Sequence, residues 1–339
     1  MRKDPSLRPA IRDRDGRSSA VRQASPTVLS LFCGAGGLDL GLIQAGLNVV
    51  WANDIDPDSV ATYQRNISGH IVCEDIAGIK TSDIPSCDMV VGGFPCQGYS
   101  MANLKRSGGD SRNSLYLQFS RVLRKKQPAY FIAENVRGIL SLAAGHALAS
   151  VLRGFGAAGY RVRWATLNAA DYGVPQTRRR VIFLGTRKDI PEDLDMQFPI
   201  PTHARTPGPS QARWVSISEA LSGIPDPDKN HSLLNHVCSQ YKVTNRNFTG
   251  HRTTDGTKPS PTILARGNGK GGVCALQHPL NHRRLSVRES ALVQTFPLSF
   301  EFVGRLNSMY RQVGNAVPVL LARRLGEEAM RVFDWQRTL

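Results

Sequence analysis

The chain has 339 residues, with 43 Lys plus Arg against 27 Asp plus Glu and a formal net charge of +16. That length suggests about two domains around a large core, and the positive excess favours a polyanionic partner, nucleic acid first, over a basic protein that is merely soluble. No apolar run approaches the roughly 18 residues of a membrane span. Six cysteines without a CxxC pair, and no recognisable signal peptide, argue against a disulfide-stapled secreted scaffold and for a reducing, intracellular compartment.

Residues 1–26 carry Arg2, Lys3, Arg8, Arg12, Arg14, Arg17 and Arg22 against Asp4, Asp13 and Asp15, and read as a basic, disordered tail. From Thr27 short apolar strands alternate with helix-like segments. Strands are predicted at Val28–Phe32, Val49–Asn53, Met89–Val91, Tyr130–Ala133, Arg161–Leu167 and Val181–Gly185, and helices at Gly37–Ala45, Asp58–Asn66, Leu115–Lys125 and His146–Phe155. This alternation predicts a doubly wound α/β fold with a mainly parallel sheet, whose ligands sit at the carboxyl ends of the strands.

Polar groups gather at those ends. The first strand runs into Phe32-Cys33-Gly34-Ala35-Gly36-Gly37, a small-residue turn where a cofactor can lie against backbone at a helix start. Nicotinamide, flavin and adenosylmethionine enzymes share that physics, and the strict GxGxxG spacing is absent. The second strand ends in Asn53-Asp54, a carboxylate able to accept from both hydroxyls of a ribose. Asp75-Ile76, at the apparent end of a further short strand between Val49–Asn53 and Met89–Val91, could meet the edge and face of an adenine. Met89-Val90-Val91-Gly92-Gly93 leads to Pro95-Cys96-Gln97. A lone cysteine is more often a small buried hydrophobe than a nucleophile. Glu134, at the end of another apolar strand, shares its crevice, and a carboxyl there can hold a raised pKa and protonate a ring nitrogen. Gln176-Thr177-Arg178-Arg179-Arg180 adds fixed positive charge to the same edge.

After Lys188, prolines at 191, 199, 201, 207, 209, 225 and 227 break the rhythm, and a smaller second domain is placed at 188–280. Its later half carries Lys242, Arg246, Arg252, Lys258, Arg266 and Lys270 against Asp255 alone, with a Gly-rich stretch over 266–272 suited to close approach to phosphates. The spacing Cys274-x3-His278-x3-His282 is metal-like, but Pro279 interrupts it and no fourth ligand is near, so no metal site is expected. Helices at Ser286–Thr295 and Pro318–Phe333 close the chain. The last carries Val319, Leu320, Ala322, Leu325 and Val332 and is expected to pack on the first domain, giving a catalytic and cofactor-binding unit of 27–187 plus 281–339.

The ordered set Phe32-x-Gly34-x-Gly36-Gly37, Pro95-Cys96-Gln97, Glu134-Asn135-Val136, Gln176-x-Arg178-x-Arg180, Arg288-Glu289 and Gly314-Asn315-Ala316-Val317-Pro318 resembles the DNA (cytosine-5)-methyltransferase family, of the prokaryotic restriction-modification type. The resemblance spans about 27–185 and 280–335, and six motifs in the family's order are highly specific. It implies a class I, Rossmann-like methyltransferase fold, with 188–280 as target-recognition domain. S-adenosyl-L-methionine is the implied cofactor, held by Phe32, Gly34, Gly36, Gly37, Asp54, Ile55, Asp75, Ile76, Pro95, Leu115, Asn315 and Val317. Cys96 is implied as the nucleophile toward C6 of a flipped-out cytosine, Glu134 as partner of N3 and the exocyclic amine, Arg180 as partner of O2 and Arg178 as its support. Asn315 is expected to hold the turn after the catalytic strand. Gln97, Ser100, Lys105, Arg106, Arg246, Arg252, Arg266 and Lys270 are expected to touch DNA, with Gly98–Arg112 as a lid.

Asp54 stands where many members carry Glu, and Ala316 where Ser is common. Implied partners are double-stranded DNA and a cognate restriction endonuclease, with the enzyme acting as a monomer, cytoplasmic and nucleoid-associated. Two alternatives accompany this reading. One is a transfer-RNA cytosine methyltransferase of the same superfamily, whose usual Cys-Phe-Thr element this chain lacks; the other is an inactive DNA-binding regulator, against which Cys96, Glu134 and Arg180 argue.

Overall fold

The computed structural model describes residues 24–95, 115–238, 253–265, 276–281 and 283–336, without the side chains of 143 and 144. Seven strands make the central sheet: β1 (Thr27–Leu31), β2 (Asn48–Asp54), β3 (Ile71–Cys73), β4 (Met89–Gly92), β5 (Tyr130–Val136), β6 (Tyr160–Asn168) and β8 (Arg179–Arg187). Their order is β3-β2-β1-β4-β5-β8-β6. The first five are mutually parallel, and only β8 runs against its neighbours β5 and β6. Chain direction across the sheet reverses between β1 and β4, so the loops after those strands open a crevice between them, the place where such sheets bind ligands.

The strands are near-continuous apolar runs because helices cover both faces. All four residues of β4 are buried. On one face α1 (Gly37–Gln44) and α8 (Val319–Gln336) contribute Leu38, Leu42, Leu321 and Leu325 to a core with Val28, Met89 and Ile132. On the other, α3 (Leu115–Lys126) and α4 (His146–Ala157) set Phe119 and Phe155 against Phe131 and Phe183, with Phe131 and Phe155 ring centroids 4.7 Å apart. Helix α2 (Pro57–Asn66) starts on Asp56, whose carboxylate caps the Asp58 amide. Helix α1 sits close to the turn that precedes α8: a Cβ at Gly37 would fall 2.6 Å from the Val317 carbonyl oxygen, so a side chain there is excluded.

The chain does not leave this core at Lys188. Ile190, Leu194 and Met196 pack into the α1/α8 face, and Arg161 grips Asp195 at 2.7 Å. Beyond Pro199 come the two-residue strands β9 (His203–Ala204) and β10 (Ala212–Arg213), the short helix α5 (Ile217–Ala220) and β11 (Ser260–Pro261), which pairs in parallel with β7 (Gln176–Thr177). Ile217, Leu221, Ile263 and Leu276 share a third core with α6 (Val287–Val293) and α7 (Leu306–Asn315). The described part of the second region is therefore packed on the C-terminal helices. Helix α6 opens with the reciprocal cap of Ser286 and Glu289. Helix α7 is an element the sequence reading passes over, although Leu306, Met309, Tyr310 and Val313 stand at helical spacing. Among the described residues no helix is long and apolar enough to cross a membrane.

Candidate active site

At the carboxyl end of β1 the backbone turns through the left-handed region at Phe32 (φ 55°), Gly34 (φ 55°) and Gly36 (φ 85°). A Cβ at Gly34 would meet nothing within 4 Å, so this part of the turn faces open space. The Gly34 amide donates to Asp54 Oδ2 at 2.8 Å and the Asp56 amide to Asp54 Oδ1 at 2.9 Å. One amide on each oxygen orients the carboxylate and leaves each oxygen a further lone pair. Burial lifts the Asp54 pKa, and these amides oppose the shift. Beside it Ile55 is 65% exposed. An open glycine cradle, an oriented acceptor and a bare apolar side chain at one edge fit a nucleoside with free ribose hydroxyls.

The other expected cofactor residues divide. Asp75 is exposed, its Oδ1 accepting from the Ala77 amide at 2.9 Å. Ile76 is 2% exposed, its side chain packed in the core beneath β1 and β4. Pro95 is exposed, Leu115 is half-buried against the same core, and Val317 is buried in the α1/α8 face.

Beyond β4 the chain is held by the Asn135 side chain, whose Nδ2 donates to the Phe94 carbonyl at 3.0 Å while its Oδ1 accepts from Val136 at 2.8 Å. Phe94 itself is buried among Phe119, Phe155 and Phe183. The loop leading to Cys96 therefore leaves the sheet from a fixed point. Asn315, expected to hold this turn, is exposed, and among the described residues Asn135 bonds to it. Cys96, Gln97, Ser100, Lys105, Arg106, Arg246, Arg252, Arg266 and Lys270 lie outside the described residues.

Glu134 and Arg180 come together. Arg180 Nε is 2.8 Å from Glu134 Oε1, with both side chains about nine-tenths buried. Gly93 leaves the carboxyl approachable from the β4 side, since a Cβ there would lie 3.0 Å from Glu134 Oε2. Burial raises the Glu134 pKa against the pull of Arg180 and then Arg178. The result is a carboxyl that can hold a proton beside a fixed cation.

Arg178 is turned to a different task. It is 1% exposed and donates to the carbonyls of Ile263 at 2.9 Å and Gly314 at 3.0 Å, and it reaches that of Asn315 at 3.5 Å. Its guanidinium braces the segment after β11 against the end of α7, so its part in the site is support of the frame. Two further groups of that frame carried no assignment from sequence: Asn135, inside a recognised motif, and Gln294, which follows α6 without a sequence signal. Of the metal-like spacing, Cys274 and His282 are outside the described residues, and His278 faces Glu289 at 3.7 Å.

A family model for C-5 cytosine-specific DNA methylase matches residues 27–331. The Type II methyltransferase M.BspRI of Lysinibacillus sphaericus is 38% identical over 341 residues, covering 87% of this chain and 79% of that protein. The Type II methyltransferase M.NgoFVII of Neisseria gonorrhoeae is 36% identical over 332 residues, covering 91% and 87%. Among solved structures, the S. pombe Dnmt2 methyltransferase has a TM-score of 0.67 at 21% identity over 92% of this chain and 99% of that one, a likeness of fold. The family match takes in the glycine turn, the Glu134–Arg180 pair and the C-terminal helices in one span, and with it the chain belongs to the C-5 cytosine-specific DNA methylase family and is a DNA (cytosine-5) methyltransferase.

Proposed function

We propose that this enzyme takes the methyl group from S-adenosyl-L-methionine and that Cys96, Glu134 and Arg180 act on a cytosine rotated out of duplex DNA. The observation that carries the reading is the buried Glu134–Arg180 pair at 2.8 Å, at the strand ends that also carry the loop toward Cys96. C5 of cytosine is a poor nucleophile in the intact ring. Addition of the Cys96 thiolate to C6 saturates the 5,6 bond and moves electron density to C5, dividing one hard step into two easier ones. Glu134 holds N3 and the exocyclic amine and gives N3 a proton as the thiolate adds, and Arg180 holds O2 while keeping the carboxyl oriented. C5 then takes the methyl group, leaving S-adenosylhomocysteine, and loss of the C5 proton, return of the N3 proton to Glu134 and departure of the thiolate restore the ring. A base inside the duplex is out of reach of a thiol, so flipping precedes chemistry at a cost of a few kcal/mol.

Asp54, Ile55 and the Gly34–Gly37 turn would hold the methyl donor, which supplies an electrophilic methyl group when bound. Phe32 and Asp75 flank the same edge, and Pro95, Leu115, Asn315 and Val317 complete the set carried by the resemblance. The region 188–280, with Arg246, Arg252, Arg266 and Lys270, would read the major groove, and the residues after Cys96, with Gln97, Ser100, Lys105 and Arg106, would close on the DNA. The Type II naming of its relatives supports a place in a restriction-modification system, with a cognate endonuclease cutting the same sequence. The enzyme would work as a single subunit on chromosomal DNA in the cytoplasm.

Incorporation of tritiated methyl from S-adenosylmethionine into duplex DNA, compared with total RNA, tests the substrate. Label confined to RNA would overturn the assignment. Cys96→Ser should abolish transfer and leave DNA binding in place, and bisulfite mapping of DNA from expressing cells should reveal one cytosine context.

A further inference from the structure

Two arginines flank the Glu134–Arg180 pair and take no part in it. Arg137 follows Val136, the last residue of β5, and opens the 3-10 turn Arg137–Leu140. Arg179 is the first residue of β8. Val136 lies opposite Arg180 where β5 and β8 pair, so the chain leaves β5 with Arg137 next to Arg179 at the ligand edge of the sheet. Both residues are exposed, and among the described residues neither guanidinium has a hydrogen-bonding or acidic partner.

Both stand on backbone that is tied to the pair they flank. The Arg179 carbonyl accepts from Arg180 Nη1 at 2.9 Å, and Arg179 is held in register opposite Asn168 of β6. Just before Arg137, the Val136 amide donates to Asn135 Oδ1 at 2.8 Å. The carboxylates at this edge are engaged elsewhere. Glu134 meets Arg180, and Asp171 accepts from Trp214 Nε1 at 2.9 Å and from Asn168 Nδ2 at 3.4 Å. Two guanidiniums side by side repel each other, modestly at exposed positions, and their five-donor forks are left open to an anion from outside the chain. Rigidly mounted forks of this kind match phosphate oxygens. S-adenosylmethionine carries no phosphate, so the anion that fits is the backbone of the substrate.

We propose that Arg137 and Arg179 hold successive phosphates of the DNA strand that carries the target cytosine. They fix that backbone relative to Glu134 and Arg180 while the base turns in, and as phosphate contacts they set position without reading sequence. The proposal rests on the reading that the rotated base enters beside Glu134.

The test uses the full-length protein with Arg137→Gln, Arg179→Gln, the double variant and the two Arg→Lys variants. Arg124→Gln is the control, since Arg124 is an exposed cation near the end of α3, at the opposite edge of the sheet. The readouts are KM and kcat on a duplex substrate and the salt dependence of duplex Kd by fluorescence anisotropy. Each Gln variant should raise the DNA KM about 10-fold, as loss of one charge-assisted hydrogen bond would. The slope of log Kd against log salt should flatten by about 1 for each arginine removed and about 2 for the double variant. The Lys variants should keep the wild-type slope, kcat should stay within about twofold of wild type, and the methylated context should not change. An unchanged slope and KM, an equal loss in Arg124→Gln, or a fall in kcat at constant KM would each overturn the proposal. Wild-type protein that transfers no methyl to duplex DNA would instead sink the functional reading beneath it.

Discussion

Arg180 Nε stands 2.8 Å from Glu134 Oε1, and the two side chains are 10% and 11% exposed. The sheet makes this contact. In the antiparallel pairing of β5 with β8, Val136 lies opposite Arg180 and Glu134 opposite Ile182, so Arg180 reaches diagonally back along its strand to the carboxyl. A buried ion pair is a poor source of stability, because desolvation takes back most of what the attraction gives. At the ligand edge of a doubly wound sheet, its value lies in holding a proton-carrying carboxyl in one orientation.

Glu134→Gln keeps the shape and removes the transferable proton. Methyl transfer should fall by about 10²- to 10⁴-fold, the range of a lost general acid. Duplex binding by gel shift should change far less. Burial holds the Glu134 pKa above its ordinary value, so its acid form persists to higher pH than a free glutamate's, and kcat should decline on the alkaline side as that proton is lost. The variant should lack this limb. An E134Q enzyme with wild-type kcat and pH profile would remove Glu134 from the chemistry.

Arg178 and Arg180 should respond to substitution in opposite ways. Arg178→Met strips donors from the buried carbonyls of Ile263 and Gly314 and should lower unfolding free energy by about 2–4 kcal/mol in a denaturant titration. Arg180→Met leaves Glu134 to take up a proton, and should move the denaturation midpoint little while nearly abolishing methyl transfer. Equal destabilisation by both would contradict this division of roles.

The contrast shows what could be read before the fold was known. Strand-end position and residue type placed Asp54, Glu134 and Arg180 correctly at one edge, because a buried parallel strand must be apolar until it reaches that edge. The facing of a side chain was a different matter. Arg178 and Arg180 are two residues apart and look equivalent in sequence, but the carbonyls that engage Arg178 come from positions 85 and 136 residues away. The Ile76 side chain lies in the core while its carbonyl accepts from Arg121, 45 positions away, at 2.7 Å. Asn135 holds the turn after β4 through a bond to Phe94, 41 positions away. Contacts of that range leave no periodic trace. Helix α7 did leave one, and was lost between the polar residues that ring its apolar stripe.

Asp54→Ala should weaken S-adenosylhomocysteine binding by about 10- to 100-fold, from loss of hydrogen bonds to a charged acceptor and of the brace on the Gly34 amide. Affinity for duplex DNA alone should be unchanged. Calorimetry reads the first and a gel shift the second, and an unaltered cofactor-product Kd would take Asp54 out of the pocket.

Asp39 gives the protein a pH-dependent stability term of its own. It is fully buried beneath the glycine turn, its oxygens accepting from Ser30 Oγ at 2.6 Å and Tyr63 Oη at 2.8 Å. Burial raises its pKa from 3.8 to about 6 against the pull of those two donors. The folded-state pKa thus lies above the unfolded one, so between pH 6 and 4 the folded protein holds a proton that the unfolded chain has lost. Stability from this group rises as pH falls through 6 and is absent well above it. His236, held neutral by burial between Ser286 Oγ and the Pro225 carbonyl, acts in the opposite sense, since its lowered pKa costs stability as pH falls below about 6.5. Asp39→Asn separates the two. The asparagine can accept from Tyr63 and donate to Ser30, whose hydroxyl is free to turn, while the titration disappears. Between pH 7.5 and 5 the wild type should gain about 1–2 kcal/mol of unfolding free energy relative to Asp39→Asn in parallel urea titrations. A difference that stays constant across this range would mean that the carboxyl under the glycine turn does not titrate there.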